Sequence, residues 1–413
     1  MTEPQHATPP APAPARVAIL GAGPVGLDAA LAAADAGWPF TIYESGPRVA
    51  AHVRQWQHVR LFTPWSMNVS ERMATHLHAA GYSPPDNSDR VPTGAEFIEE
   101  LLDPLAALPQ VASNLVCGTR VLGVGREGLL KHEEIGTPSR AARPFRILLR
   151  TADGVTTTTS ASLVLDCTGT YATANAAGEA GLPAPGEKEL GERIVRRLPD
   201  FAAERDAWAG RTILLVGAGY SAQTAARDLA ALLPSARGTQ VIWAVRSEKP
   251  TWGEAADDPL PERQALVDSA KRIASGHVAG VQVELGTAVD AFTEEGERIL
   301  VRLRGVADRV VRVDRVLALT GFVPDNSLYR QLQVHECFAT TAPMNLAAQL
   351  LGAAGEDCMQ APSYGVDALR SPEPNFFLLG AKSYGRNSEF LVRTGYAQVN
   401  QVVAAYDRSA GPR

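Results

Sequence analysis

Cysteine is scarce in this 413-residue chain. There are four, Cys117, Cys167, Cys337 and Cys358, and no two stand in a C-x-x-C or C-x4-C pair. An internal redox dithiol is therefore not expected, and Cys167, at the end of an apolar run, reads as a small buried residue. Metal-ligand spacing is missing too: His76 and His78 alternate, but no ligand cluster accompanies them, so no metal is expected. No apolar run approaches the 18 residues of a membrane span. Positive charge is not in excess, with 39 Lys and Arg against 45 Asp and Glu, a net −6 spread without a basic stripe. That balance argues against nucleic acid or an anionic membrane as partner. Met1–Ala15 is rich in Pro and Ala without a basic-then-apolar pattern, which reads as a disordered tail and a cytoplasmic location. No nucleophile triad or catalytic carboxylate pair stands out, and Asp257-Asp258 reads as a solvated charged loop.

What the chain does contain is two glycine-rich turns, each after an apolar run and before a helix-forming one. The first is Val17-Ala-Ile-Leu-Gly-Ala-Gly-Pro-Val-Gly26 and the second Ile213-Leu-Leu-Val-Gly-Ala-Gly-Tyr-Ser-Ala222. Such a turn needs one glycine for a tight bend, a second so that the backbone can approach a diphosphate, and a third small residue for helix–strand packing. Gly21, Gly23 and Gly26 fill these roles in the first copy, with Pro24 opening the helix. Gly217, Gly219 and Ala222 fill them in the second, with Tyr220 and Ser221 at the helix start. The free N–H groups and dipole of each helix start favour a diphosphate there.

The two copies differ at the end of the next strand. Thr41-Ile-Tyr43 ends in Glu44, 23 positions beyond Gly21 and followed by Ser45, where a carboxylate accepts from adenosine ribose hydroxyls. Gln240-Val-Ile-Trp-Ala-Val245 ends in Arg246, whose guanidinium suits a 2′-phosphate. A charge-assisted hydrogen bond contributes roughly 1.5–3 kcal/mol, about ten- to a hundredfold in affinity. The first turn thus reads as an FAD site and the second as an NADPH site.

Between them, 51–92 is irregular and rich in aromatic residues, and Ala95–Leu108 is helical in pattern. Strand patterns recur at Arg120–Val124, Phe145–Leu149 and Leu163–Leu165, and Gly181–Glu187 reads as a Pro/Gly linker. Phe376–Leu379 gives a last strand before Gly380, and Phe390–Tyr406 an amphipathic helix. The fold expected is α/β: two Rossmann-like, three-layer FAD/NAD(P)-binding domains, the NADPH domain inserted into the FAD domain. The boundaries expected are 16–207 with 319–413 for FAD, and 208–318 for NADPH.

In this order of motifs the chain resembles two-dinucleotide-binding-domain flavoproteins, and most the bacterial relatives of flavin-containing monooxygenases. The resemblance covers Arg16 to Asp407. It implies that Thr168-Gly169 and Thr320-Gly321 mark the crossings between domains, with Thr168 and Gly169 near the cofactor. It also implies that Gly380 lies by the phosphate and ribityl chain of FAD, and that the C-terminal helix aims its positive end at the flavin. The fingerprint F-x-G-x-x-x-H is missing between Gly169 and Gly210, and Ala381-Lys382 stands where an acidic residue often meets the ribityl chain.

The same resemblance places a substrate pocket over the flavin, lined by His58, Trp65, Tyr384 and Arg386. Each of these, like Arg54 and Trp56, stays open between a pocket residue, a flavin contact and packing, with Trp56 and Trp65 readable as plain core. With no dithiol to receive electrons, the reaction expected is a single-component oxygenation of a small N- or S-containing substrate by O2 through a flavin C4a-hydroperoxide. The alternative is an NADPH-dependent reductase acting on a quinone, a small disulfide or a partner protein. Neither motif fixes an oligomeric state, and a homodimer stays open.

Overall fold

The computed structural model describes residues 15–85, 88–255, 258–306, 308–352 and 365–407. Most of the tail expected at 1–15, together with Asp257 and Cys358, lies outside them. The chain divides into two compact units, Met1–Gln57 with Thr63–Ala172 and Val323–Arg413, and His58–Phe62 with Thr173–Phe322. The second unit takes in 173–207, which the sequence reading placed with the first.

The first unit is built on a five-stranded sheet. Its strands are β1 (Val17–Leu20), β2 (Phe40–Tyr43), β3 (Leu115–Val116), β7 (Leu163–Asp166) and β16 (Phe376–Leu378), in the order β16-β7-β1-β2-β3. Every pairing is parallel. β1 and β7 are buried along their whole length, as strands covered on both faces must be, which is why they read as unbroken apolar runs. A second sheet, β4 (Thr119–Arg126), β5 (Phe145–Thr151) and β6 (Thr156–Ala161), is antiparallel. Val124, Phe145 and Ile147 from it pack against Ala18, Leu20 and Val164 of the parallel sheet.

Helix α1 (Pro24–Asp35) follows the first glycine turn, and α2 (Glu71–Ala79) is capped by Ser70, whose hydroxyl accepts from the Met73 N–H. The expected helix at 95–108 is present from Gly94 to Ala107. It widens into a π turn at Ile98–Leu102, where Pro104 cannot donate to the preceding turn.

The second unit repeats this plan. β8 (Ile194–Val195), β9 (Thr212–Val216), β10 (Gln240–Val245), β11 (Val281–Leu285) and β15 (Arg315–Ala318) form a parallel sheet in the order β11-β10-β9-β15-β8. An antiparallel sheet of β12 (Ala288–Glu295), β13 (Arg298–Arg304) and β14 (Arg309–Val313) covers one face. Leu214 and Val216 pack toward that sheet, on Val301 and Leu303. Ile213 and Leu215 face the other way, onto Ala222, Ala226 and Leu229 of α3 (Tyr220–Leu232) and Val267, Ala270 and Ile273 of α4 (Pro261–Ala274). This alternation is the period of two that a strand imposes.

Two local expectations fail. Gly181–Glu187 is an ordered turn rather than a linker: Glu187 is buried, accepts the N–H groups of Ala177 and Ala184, and pairs with Arg196. Asp258 is not solvated, because it accepts the Leu260 N–H and both Nε and Nη2 of Arg263.

Candidate cofactor sites

In each parallel sheet the strand order reverses at the strand that carries the glycine turn. In the first unit, the chain leaves β1 for β2 on one side, while β7 lies on the other. The crevice at such a reversal, beyond the carboxyl ends of the strands, is where ligands settle in open α/β sheets.

Gly21 has φ of +92° and its N–H is bonded to Tyr43 O, while Cys167 N–H bonds Leu20 O on the other side. A Cβ on Gly21 would press on the Cys167 carbonyl, and one on Gly26 would overlap the carbonyl oxygen of Gly21. Gly23 differs: a Cβ there would meet nothing within 4 Å. Its backbone caps α1 with no side chain satisfying the first-turn N–H groups. The helix start therefore faces open space with unpaired donors. That is the shape and polarity a diphosphate requires.

Glu44 is buried beside this space. Its Oε2 accepts the Ala22 N–H at 2.8 Å and its Oε1 the Gly46 N–H at 2.7 Å, with Ser45 Oγ at 3.4 Å. Oε2 keeps a second lone pair, so the group is held in place and can still accept from a ribose hydroxyl.

On the other side of β1, Thr168 N–H and Oγ1 both donate to Asp166 Oδ1, at 3.1 and 2.6 Å, and Gly169 takes φ of +69°. Lys382 extends to the same place. Its Nζ is 2.7 Å from Asp166 Oδ2 and 3.1 Å from Thr168 Oγ1, and both charged side chains are almost wholly buried. Asp166 and Lys382 were absent from the expected site. They lie 216 positions apart, beyond the reach of any local pattern.

Gly380, at φ +71°, leads into Lys382 and packs on Val25 of α1, and its N–H bonds Gln398 Oε1. Helix α5 (Val392–Asp407) starts beside α1: a Cβ on Gly395 would overlap Val25. Its buried face carries Tyr396, Val399, Val402 and Tyr406. Cys167 is held as a thiol, its pKa pushed well up by burial and by the neighbouring Asp166 and Asp28 charges.

The second unit reproduces the arrangement. Gly217 has φ of +125°, and a Cβ there would overlap the Leu319 carbonyl, while one on Gly219 would meet nothing within 4 Å. Trp243 Nε1 donates to Gly217 O at 2.8 Å. Tyr220 Oη donates to Gly253 O, and Gln223 Nε2 to Ala218 O and Trp252 O, pinning residues 252–253 over the start of α3. Ser221 and Arg246 are exposed. Thr320-Gly321 occupies the place beside Gly217 that Thr168-Gly169 occupies beside Gly21, a correspondence the sequence reading took only as a domain crossing.

The remaining candidates are distributed unevenly. Arg54 donates to Val49 O and pairs with Asp103, which also holds Arg48. Trp56 stacks obliquely on Tyr171, 6.2 Å between centroids; among the described residues its Nε1 meets no acceptor, and the buried Nε2 of His58, in the second unit, meets no partner. Of the alternatives open for Trp65 its burial favours packing: it is fully buried against Phe97 with Arg90 over its ring. Tyr384 is buried edge-on to Phe390, and Arg386 is exposed. Among the described residues no group of His, Cys, Asp and Glu could hold a metal ion, and no helix is long and apolar enough to cross a membrane.

A family described as pyridine nucleotide-disulphide oxidoreductase matches residues 129–339. No curated protein sequence matches the chain. Solved structures do. Bacillithiol disulfide reductase from Bacillus cereus aligns with a TM-score of 0.68 at 16% identity, over 95% of this chain and 98% of that one. Ornithine N-hydroxylase from Kutzneria sp. 744, solved with reduced FAD, NADP+ and L-ornithine, gives 0.65 at 15%, over 97% and 100%. Thioredoxin reductase from T. acidophilum gives 0.56 at 16%, over 95% and 98%. At such identities the likeness is one of fold.

Proposed function

The chain belongs to the pyridine nucleotide-disulphide oxidoreductase family, and from that premise we propose that it is an NADPH-dependent FAD monooxygenase acting on a small amine or thioether. As a family member it is an FAD- and NAD(P)-dependent oxidoreductase. One observation carries the finer reading. Cys167, the cysteine at the cofactor end of the first sheet, is a free thiol whose pKa burial pushes well up, and among the described residues no dithiol stands ready to take electrons from the flavin.

Bound FAD would supply the redox chemistry, the two electrons of NADPH serving to reduce O2 so that one oxygen atom enters the substrate and the other leaves as water. The protein's part is placement. The α1 start and Gly23 receive the FAD diphosphate, Glu44 accepts from the adenosine ribose, and the Asp166–Thr168–Lys382 cluster sets the floor of the crevice. The α3 start, Gly219 and Arg246 receive NADPH. Helix α5 directs its positive end toward the first crevice, where it favours an electron-rich flavin.

The second reading, a reductase of a small external disulfide, draws its support from the likeness to bacillithiol disulfide reductase. NADPH and O2 consumption, measured across a panel of primary amines and thioethers, separates the two. Oxygenation requires one O2 per NADPH with little hydrogen peroxide. If NADPH is oxidised without oxygen in the presence of a low-molecular-weight disulfide, and O2 leaves that rate unchanged, the reductase reading replaces it.

A further inference from the structure

The second unit contains a cleft that the dinucleotide reading does not use. Its volume is about 620 Å3, and Arg193, Arg211, Arg298, Arg315, Glu297 and Asp314 line it. Arg211 immediately precedes β9, Arg315 opens β15, and Arg298 opens β13. The cleft therefore lies at the amino ends of the parallel strands, whereas Gly217 lies at their carboxyl ends. The five residues of β9 put the two about 16 Å apart, at roughly 3.3 Å per residue. Four guanidinium groups converge here on a chain whose overall charge is −6.

The guanidinium groups are not equivalent. Arg193 is braced by Glu294 and by the carbonyls of Gly296 and Glu297, so the hairpin turn's own acceptors are already occupied. Arg298 Nε pairs with Asp314 Oδ1, and Asp314 Oδ2 accepts the Thr212 N–H, which offsets that carboxylate. Among the described residues Arg315 uses only Nε, on Ala207 O, and the Arg211 side chain meets no partner. Two guanidinium heads therefore remain to bind a ligand, and two are held in place. Among the described residues Glu297 is the carboxylate of the lining without a cation of its own.

We infer that this cleft is an anion site distinct from the two glycine turns, taking a compact diphosphate-type ligand between the forks of Arg211 and Arg315. Planar guanidinium donors match phosphate oxygens in pairs, and the volume falls within the range of small-ligand sites. Free inorganic diphosphate and the diphosphate of a nucleotide share this chemistry.

Calorimetric titration of the FAD-loaded protein at low salt, with NADP+ saturating the glycine turns, tests the inference without using turnover. Inorganic pyrophosphate is expected to bind one site per chain. Arg211→Ser and Arg315→Ser should each weaken it at least about tenfold, the loss of a charge-assisted hydrogen bond, while Arg246→Ser should leave it unchanged. ADP binding more tightly than pyrophosphate, with the excess lost in the same variants, identifies a nucleotide; equal affinity identifies the free anion. Absence of saturable binding, or equal affinity in Arg211→Ser and the native protein, overturns the site. The Arg211 side chain makes no hydrogen bond or ion pair among the described residues, so its variant remains informative if Arg315→Ser fails to fold.

Discussion

Replacing Gly23 with alanine separates cofactor binding from folding. Gly23 has φ −81° and ψ −174°, a conformation alanine adopts without strain, and its Cβ would meet nothing within 4 Å. Alanine stiffens the unfolded chain, which stabilises by about 0.4–1 kcal/mol. It is a poorer N-cap than glycine by a similar amount. The two effects offset, so the apoprotein should melt within about 2 °C of the native one. With FAD the new methyl stands where the diphosphate must lie, and overpacking of that kind costs roughly 1–3 kcal/mol. The dissociation constant, followed by quenching of flavin fluorescence, should rise about ten- to a hundredfold. Gly26→Ala is the opposite case, because its Cβ overlaps the Gly21 carbonyl and the apoprotein itself must lose stability. If Gly23→Ala binds FAD as the native protein does, or Gly26→Ala apoprotein melts unchanged, the assignment of the first crevice fails.

Arg246→Ala should raise the KM for NADPH about ten- to a hundredfold and leave that for NADH nearly unchanged, since it removes only a partner of the 2′-phosphate; steady-state kinetics with both nucleotides check it. Lys382→Met or Asp166→Leu leaves one buried charge unpaired and should cost about 3–5 kcal/mol, a fall of roughly 6–10 °C in melting temperature for a unit of this size, whereas the double variant should recover most of it. Burial raises the Glu187 carboxyl, but the N–H groups of Ala177 and Ala184 and the Arg196 guanidinium outweigh it and leave the folded pKa below the ordinary value of 4.5. Its contribution is therefore complete above about pH 4.5 and is lost as pH falls through the lowered folded value; Glu187→Gln should flatten the acid limb of a denaturation curve in that window and nowhere else.

What could be read from the sequence was local. The glycine turns and Glu44 show because a tight bend, a bare backbone and a strand-end acid recur at short, fixed spacing. Both parallel sheets show as unbroken apolar runs, since strands covered on two faces have no polar side. Side-chain identity alone did not separate Trp65, fully buried, from a pocket residue, nor a solvated Asp258 from one clamped by Arg263 five positions on. The Asp166–Lys382 pair depends on β7 and the segment after β16 meeting at one crevice, and no window of sequence contains both. Glu187 lay in a Pro/Gly stretch whose composition signals a loop but says nothing about whether a buried carboxylate holds it.

Glu373, fully buried between Arg126 and Arg140, with Arg126 also bonded to Pro374 O, precedes β16 directly. The strand it anchors flanks β7, so the first sheet lacks an edge until the ribosome has passed residue 378. The second unit is, but for His58–Phe62, a continuous stretch ending at Phe322. Synthesis from the amino end thus delivers the whole of the second unit while the first still exposes β7. In this chain the second unit is complete at Phe322 while the first, begun earlier, still awaits its final strand and helix, so order of emergence and order of completion run opposite ways.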